Sequence, residues 1–485
     1  MHASTSENLE VSGSPSRLQK VANRFTLWAE RWFPDAYIFA LIALLAACAA
    51  ALGIGASAQD VIVAIGDGYW NLIRFTYQMA MVLIGGYALA ASKVAKRGID
   101  AVGSFAKTGE GAIVLIAFVS IAGSLLNWGF GMIMGGLLVL ALARRHDLRM
   151  DFRAAAAAAM VGSATIPMLG LSSGPALLQA NAASMPPELL KAGGVIPMTE
   201  SILVWQNAVT IVIVTVAALL VAYFTAPRGG QIKTARDLNI ALAGFGGEKR
   251  VEAAIQAKRP GDWLSDSPLM AWLVACLSIA WIAHRIYTHG FVATISDLNN
   301  YIFICITLAI ILHGRIRAFL EAVYSAVPAV GPMLIQFPIY AATSAVIVTV
   351  KNSHGASVAS YLGELFINLG GGHALPLVIG VYSIIMGLFI PAAGARWVLE
   401  APYVFHAAQA VKLNLGWTLV TFNGAEALTN FINPFWMLPL LGMLGLAPRN
   451  VVGYTFLYFI FVTPVMLVTL WAFSFTLPFH SPVFP

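Results

Sequence analysis

Apolar residues come in long runs along this chain, separated by short polar loops, and a helix needs about 20 of them to cross the hydrocarbon core of a bilayer. Nine segments qualify or come close: 37–55, 75–94, 154–183, 203–225, 269–286, 299–314, 325–350, 417–446 and 451–475. Two others behave differently. Segment 111–143 leaves one basic loop and returns to another. Its roughly 33 residues make about 50 Å of helix, too long for one span and too short for two. Its centre, Asn127-Trp128-Gly129-Phe130-Gly131, is a poor helix interior. The pattern predicts a re-entrant hairpin that turns near mid-membrane, where irregular backbone survives only beside protein or a water-filled cavity. Segment 374–411 repeats this from the other face, with a break at Pro391-Ala392-Ala393-Gly394.

The order over 37–225 is span, surface helix, span, surface helix, hairpin, broken span, span, and the same order recurs from 299 to 475. An extra span, 269–286, turns the second copy upside down. The expectation is an all-α polytopic membrane protein with two inverted repeats, nine spans, two re-entrant hairpins and discontinuous helices. Residues 1–36 form an interfacial N-terminal segment, 37–225 the first repeat, 226–266 a polar cytoplasmic linker, and 267–485 the extra span plus the second repeat. Within the first segment, Leu18, Val21, Phe25, Trp28 and Trp32 fall at helical spacing between Lys20, Arg24 and Arg31, which reads as a helix on the membrane surface. Ala56-Ser57-Ala58 has the form of a signal cleavage site, but cleavage there would delete half of a repeat, so the first span is expected to be retained.

Charge sets the orientation. Loops placed on the cytoplasmic side hold 22 of the 28 Lys and Arg, the opposite loops five, and Arg396 alone lies inside an apolar stretch. That is the positive-inside bias, with the N-terminus cytoplasmic in a cell (inner) membrane. A 59% hydrophobic fraction with 10% charged residues excludes an ordinary soluble chain. The net charge of +6 is explained by loops facing anionic lipid, so no nucleic-acid partner is called for. Cys48, Cys276 and Cys305 all sit mid-segment in apolar runs, which argues against disulfides.

Paired inverted repeats with interrupted segments point to secondary transport, with substrate held where the breaks meet. In the first half the interruption reads Ser163-Ala164-Thr165-Ile166-Pro167, then Gly170-Leu171-Ser172-Ser173-Gly174-Pro175. In the second it reads Thr421-Phe422-Asn423-Gly424-Ala425-Glu426, then Thr429-Asn430 and Asn433-Pro434. Half-helix N-termini suit a carboxylate, while hydroxyls, amide oxygens and unwound carbonyls suit a cation. Gly135, Gly136 and the run Ala154 to Ala159 read instead as close-packing positions.

Asn127, Gly129, Gly394, Ser172, Ser173, Asn423 and Gly424 are the expected substrate-binding positions, and Arg396 the expected carboxylate clamp, since guanidinium binds that group bidentately. Glu400, four residues on, offers the alternative of a structural pair for Arg396. Glu426, Thr429 and Asn430 are the expected coupling-ion site, taking H⁺ or Na⁺, with no other cofactor and no metal spacing. Two other classes stay open. Gly170-x-Ser172-x-Gly174 matches a hydrolase nucleophile elbow, although that elbow needs a strand before the serine. A passive anion channel is the third reading.

Leu126-Asn127-Trp128-Gly129-Phe130-Gly131, Ile390-Pro391 with its small-residue turn, and Thr429-Asn430-Phe431-Ile432-Asn433-Pro434-Phe435-Trp436 leading into Leu438-Pro439-Leu440-Leu441-Gly442 closely resemble the short-chain fatty acid transporter family. The resemblance spans nearly the whole chain. It implies uptake of small monocarboxylates coupled to a proton or sodium gradient, and its wider superfamily is associated with homodimers. The chain departs from the family pattern where relatives tend to have a glycine-rich turn followed by Gln-Trp and this chain has Ala392-Ala393-Gly394-Ala395-Arg396-Trp397. It departs again where they have Gly-Asp-Gln and this chain has Gly424-Ala425-Glu426, and where a His-Gly-Gly-like stretch gives way to Pro167-Met168-Leu169-Gly170.

Overall fold

The structure, a computed structural model, describes residues 36–240, 242, 260–390 and 393–484. The surface helix expected over 18–33, the central part of the linker and the Pro391-Ala392 step lie outside the described residues. The first half runs Ala36–Gly53 (α1), Ala58–Gly68 (α2), Ile73–Ala91 (α3), Lys93–Gly103 (α4), Gly109–Leu126 (α5), Trp128–Ala143 (α6), Phe152–Thr165 (α7), Gly174–Gln179 (α8), Pro187–Gly193 (α9) and Trp205–Thr225 (α10). Three helices, Pro260–Asp266 (α11), Pro268–His289 (α12) and Phe291–Ser296 (α13), lead into the second. That half runs Leu298–His313 (α14), Ile316–Ala326 (α15), Gly331–Thr349 (α16), Val358–Phe389 (α17), Ala393–Ala410 (α18), Leu415–Ala427 (α19), Pro434–Leu444 (α20) and Pro448–Ser474 (α21).

Among the described residues six helical stretches are long and apolar enough to cross a membrane, or up to eight if each of two bent pairs counts as one span. The count differs from the expected nine partly because α1 and α14 are short. At 16 to 18 residues they reach only about 24–27 Å, against a hydrocarbon core of about 30 Å.

Contacts between the halves are exchanged. Helices α1 and α2 pack on α16, while α14 and α15, which follow the same order in the second half, pack on α3. Hydrogen bonds fix the register between halves. Asp151 caps α7 by accepting from the Ala154 amide at 3.0 Å, and Asn414 caps α19 by accepting from the Trp417 amide at 2.8 Å. Ser120 donates to the Ala159 carbonyl and Ser383 to the Phe422 carbonyl, each at 2.7 Å. Each residue of the second half here stands 263 positions after its counterpart in the first.

Helices α5 and α6 fold back on one another as the sequence predicts. Gly109 at the start of α5 lies against the Leu148 carbonyl beyond the end of α6, and Gly123 faces Gly131 so closely that either side chain would collide with the opposite backbone. In the second half the kink of α17 falls at Gly371 and Gly372, whose backbone is non-helical; Gly371 has φ +36°, a conformation suited to glycine. Ala154 to Ala159 are all buried, with Gly135 against Ala159, as the packing reading requires.

Candidate functional site

Both interruptions are written in local chemistry. Pro167 has no amide hydrogen, so α7 cannot continue its ladder onto the Ser163 carbonyl and ends at Thr165. The vacant acceptor is taken from the other half: Asn430 Nδ2 donates to the Ser163 carbonyl at 2.8 Å. In the second half α19 stays helical through Ala427, tightens to a 3-10 turn over Leu428–Phe431, and stops before Pro434. Asn423-Gly424 is therefore not a break. Gly424 sits inside the helix because Leu169 packs where its side chain would be.

The tip of the first hairpin is held by Asn127. Its Oδ1 accepts from the amides of Gly129 and Phe130 at 3.0 and 3.1 Å, and its Nδ2 donates to the Val82 carbonyl at 3.1 Å and to the Tyr301 hydroxyl at 3.4 Å. Tyr301 in turn donates to the Leu126 carbonyl at 2.6 Å, and the Leu171 amide donates to the Leu125 carbonyl at 2.8 Å. Ser172 Oγ accepts from the Trp128 amide at 3.0 Å. The free backbone groups that two abutting helix ends create are thus met by neighbours.

In the second hairpin Arg396 and Glu400 are both buried and paired, Nε to Oε1 at 2.9 Å and Nη2 to Oε2 at 3.1 Å. The guanidinium also donates to the Ser383 carbonyl at 3.0 Å and its hydroxyl at 3.3 Å, and lies 5.0 Å over the Phe422 ring. The fork that a substrate carboxylate would need is occupied by Glu400. The clamp expectation is corrected on that geometry, and the structural pair is what forms.

A cavity of about 310 Å³ opens where the two halves meet. The first hairpin tip reaches it through Trp128 and Gly129, the second through Ala393 and Gly394, and the two interruptions through Ser163, Pro167, Met168, Glu426 and Asn430. Met79 and Leu83 of α3 and Met333, Gln336 and Phe337 of α16 close the far side. Of the expected site residues, Gly129, Gly394, Glu426 and Asn430 line this space. Asn127, Ser172, Ser173, Arg396, Asn423, Gly424 and Thr429 do not. Asn127, Ser172 and Ser173 are buried helix caps, and Thr429 donates to the Glu426 carbonyl at 2.8 Å.

Most of the wall is apolar. Glu426 is 2% exposed, and no described residue hydrogen-bonds its carboxylate. Asn430 Oδ1 is buried without a partner. Gln336 turns a buried side chain to the cavity and makes no hydrogen bond to another described residue. Gln336 is a polar cavity-lining position that sequence reasoning missed; its signal is a lone amide inside the apolar run 325–350.

Two fold-back hairpins and two interrupted helices meeting on one buried cavity are the construction of a multi-pass membrane transporter. The chain belongs to the short chain fatty acid transporter family, whose sequence model matches residues 17–473. Two relatives, from Haemophilus influenzae and Escherichia coli K12, each carry the description "Putative short-chain fatty acid transporter". The first is 27% identical over 462 residues, covering 94% of this chain and 99% of the relative; the second is 27% identical over 453, covering 93% and 99%. Among solved structures, Neisseria gonorrhoeae MtrF, described as illuminating a class of antimetabolite efflux pumps, superposes with a TM-score of 0.60 at 14% identity, covering 96% of this chain and 100% of MtrF. The Alcanivorax borkumensis YdaH transporter gives 0.57 at 14%, covering 92% and 99%. These two share the fold. The chain is a transporter and not an enzyme, and Ser172 Oγ is engaged as an acceptor at the start of α6.

Proposed function

We propose that this protein is a secondary active symporter of short-chain fatty acids or related small carboxylates, coupled to H⁺ or Na⁺. One observation carries the reading: a buried Glu426 carboxylate, with no hydrogen-bond partner among the described residues, on the wall of a mostly apolar cavity between the two interruptions. Two unit charges of like sign about 4 Å apart repel by about 4 kcal/mol at an effective dielectric of 20. A carboxylate substrate and a bare Glu426 therefore exclude one another, and a proton or a sodium ion on Glu426 removes the conflict. Loading of the cation favours loading of the anion, which is the condition for symport.

The remaining walls suit such a substrate. Its alkyl chain would lie against Met79, Leu83 and Met333, and its carboxylate would accept from the Gln336 amide. Asn430 Oδ1 adds a free oxygen to the cation side. The excess of Lys and Arg in the loops 93–107, 144–153 and 228–259 supports an inner-membrane orientation with the N-terminus cytoplasmic. The reading is tested with purified protein in liposomes. Labelled butyrate and acetoacetate should show counterflow, and their net accumulation should follow either a pH gradient or a sodium gradient. Uptake that shows no counterflow and follows neither gradient would leave a passive channel.

A further inference from the structure

The register between the halves assigns a partner to each charge around the cavity. Counting back 263 positions, Glu426 corresponds to Ser163, Arg396 to Ile133 and Glu400 to Leu137. The caps Asp151 and Asn414 and the Ser120 and Ser383 hydroxyl bonds set this count, and a further pair agrees with it. The Leu125 carbonyl accepts from the Leu171 amide at 2.8 Å, and its counterpart, the Leu388 carbonyl, accepts from Asn433 Nδ2 at 3.2 Å. Three buried charges beside the cavity thus belong to one half, and the first half holds apolar or neutral groups at the same places.

Of those three, Arg396 and Glu400 cancel one another through two hydrogen bonds and stand off the cavity wall. Glu426 alone remains. The neutral oxygens differ between the halves in their hydrogen bonds, although of the partnerless ones only Asn430 lines the cavity. In the interruption of the first half, Ser163 donates to the Met160 carbonyl at 2.9 Å, Thr165 to the Val161 carbonyl at 2.7 Å, and Ser172 accepts from Trp128. Around the second, Thr421 Oγ1, Asn423 Oδ1 and Asn430 Oδ1 are buried without partners; in the first hairpin and its interruption the one such oxygen is Ser124 Oγ.

From this asymmetry we infer that each cycle carries one monovalent cation with one monocarboxylate and moves no net charge. The inference rests on the symporter reading above. The empty site carries the single charge of Glu426. A cation brings it to zero, and the substrate anion returns it to one negative charge. The loaded and empty forms then cross with equal charge. A second cation whose charge is compensated would require a second acid at the cavity, and at Ser163, the position that answers Glu426, the first half holds a neutral hydroxyl.

The test uses full-length protein in potassium-loaded proteoliposomes, where valinomycin sets the membrane potential independently of the pH and sodium gradients. Labelled butyrate is followed to its plateau and compared with protein-free vesicles. The plateau should depend on one cation gradient and stay within about two-fold between zero and 100 mV, inside negative. Each net charge moved would change it by roughly 45-fold per 100 mV. A rise of that size means an extra cation, and a fall of that size means anion crossing alone; either overturns the inference while leaving transport itself intact. Absence of butyrate counterflow would instead overturn the carrier reading beneath it. Ser163→Asp gives the second half's charge to the first and should make the plateau rise with inside-negative potential. A Ser163→Asp protein that accumulates butyrate with no response to potential also counts against the inference.

Discussion

Asn430 Nδ2 donates to the Ser163 carbonyl at 2.8 Å, so the interruption that Pro167 makes in one half is closed by a residue of the other. Opening that acceptor in a buried site costs about 1–3 kcal/mol. Asn430→Leu should therefore lower the detergent melting temperature and abolish gradient-driven uptake together. Asn430→Asp keeps the shape but replaces the donor with an acceptor, and should lose at least as much. Full activity in both variants would remove Asn430 from the site.

Arg396 and Glu400 predict a stability phenotype rather than an affinity phenotype. Removing one partner of a buried ion pair costs about 3–5 kcal/mol, because the other is left uncompensated. Arg396→Gln or Glu400→Gln alone should reduce folded yield sharply, and the double substitution should restore most of it. Size-exclusion profiles and thermal melts read this directly. If Arg396→Gln folds normally and weakens butyrate binding ten-fold or more, the guanidinium touches substrate after all.

The two hairpin-tip glycines on the cavity differ in what a side chain would meet. A Cβ at Gly129 has its nearest neighbour at 3.4 Å, an ordinary contact, whereas at Gly394 it comes within 2.8 and 2.9 Å of the Phe75 ring. That ring is buried and stacked on Phe337 with centroids 6.1 Å apart. Gly129→Ala should retain transport and Gly394→Ala should lose most of it, as measured by initial uptake rates normalised to folded protein. Equal behaviour would place the constraint elsewhere.

Gln336 predicts a pure binding defect. A hydrogen bond to a charged group contributes about 1.5–3 kcal/mol, or roughly 10- to 100-fold in affinity. Gln336→Leu should raise the half-saturating substrate concentration by that factor and leave the melting temperature near the parent value, since the amide has no described partner to lose. An unchanged concentration dependence would point the substrate carboxylate elsewhere.

The broad architecture was legible because its signals are strong and local: apolar run length, the glycine pair at the first hairpin tip, and a proline that ends α7 at Thr165. The second break is read from the sequence over Thr421–Glu426 as well as Thr429-Asn430 and Asn433-Pro434, and only the later part holds, because Asn423-Gly424 resembles a helix interruption but stays helical. Burial against Leu169 makes that glycine a packing residue, which only tertiary contact reveals. Asn127, Ser172 and Ser173 stand at the breaks, as their place in the sequence indicates, and there they cap the backbone. Gln336 escaped notice because it sits in an uninterrupted helix of the far wall, where nothing in the local pattern announces a cavity.

The two shorter hydrogen bonds between the tip of the first hairpin and helices α3 and α14 run from Asn127 to the Val82 carbonyl, at 3.1 Å, and from the Tyr301 hydroxyl to the Leu126 carbonyl, at 2.6 Å. Any sliding of the hairpin past α3 and α14 must open both in every turnover. Each contributes about 0.5–1.5 kcal/mol, enough together to slow that step by roughly five- to a hundred-fold. In such a movement the tip would set the pace as well as form a wall. Tyr301→Phe, which keeps the ring and deletes the latch, should quicken exchange while leaving the occupied state no better bound.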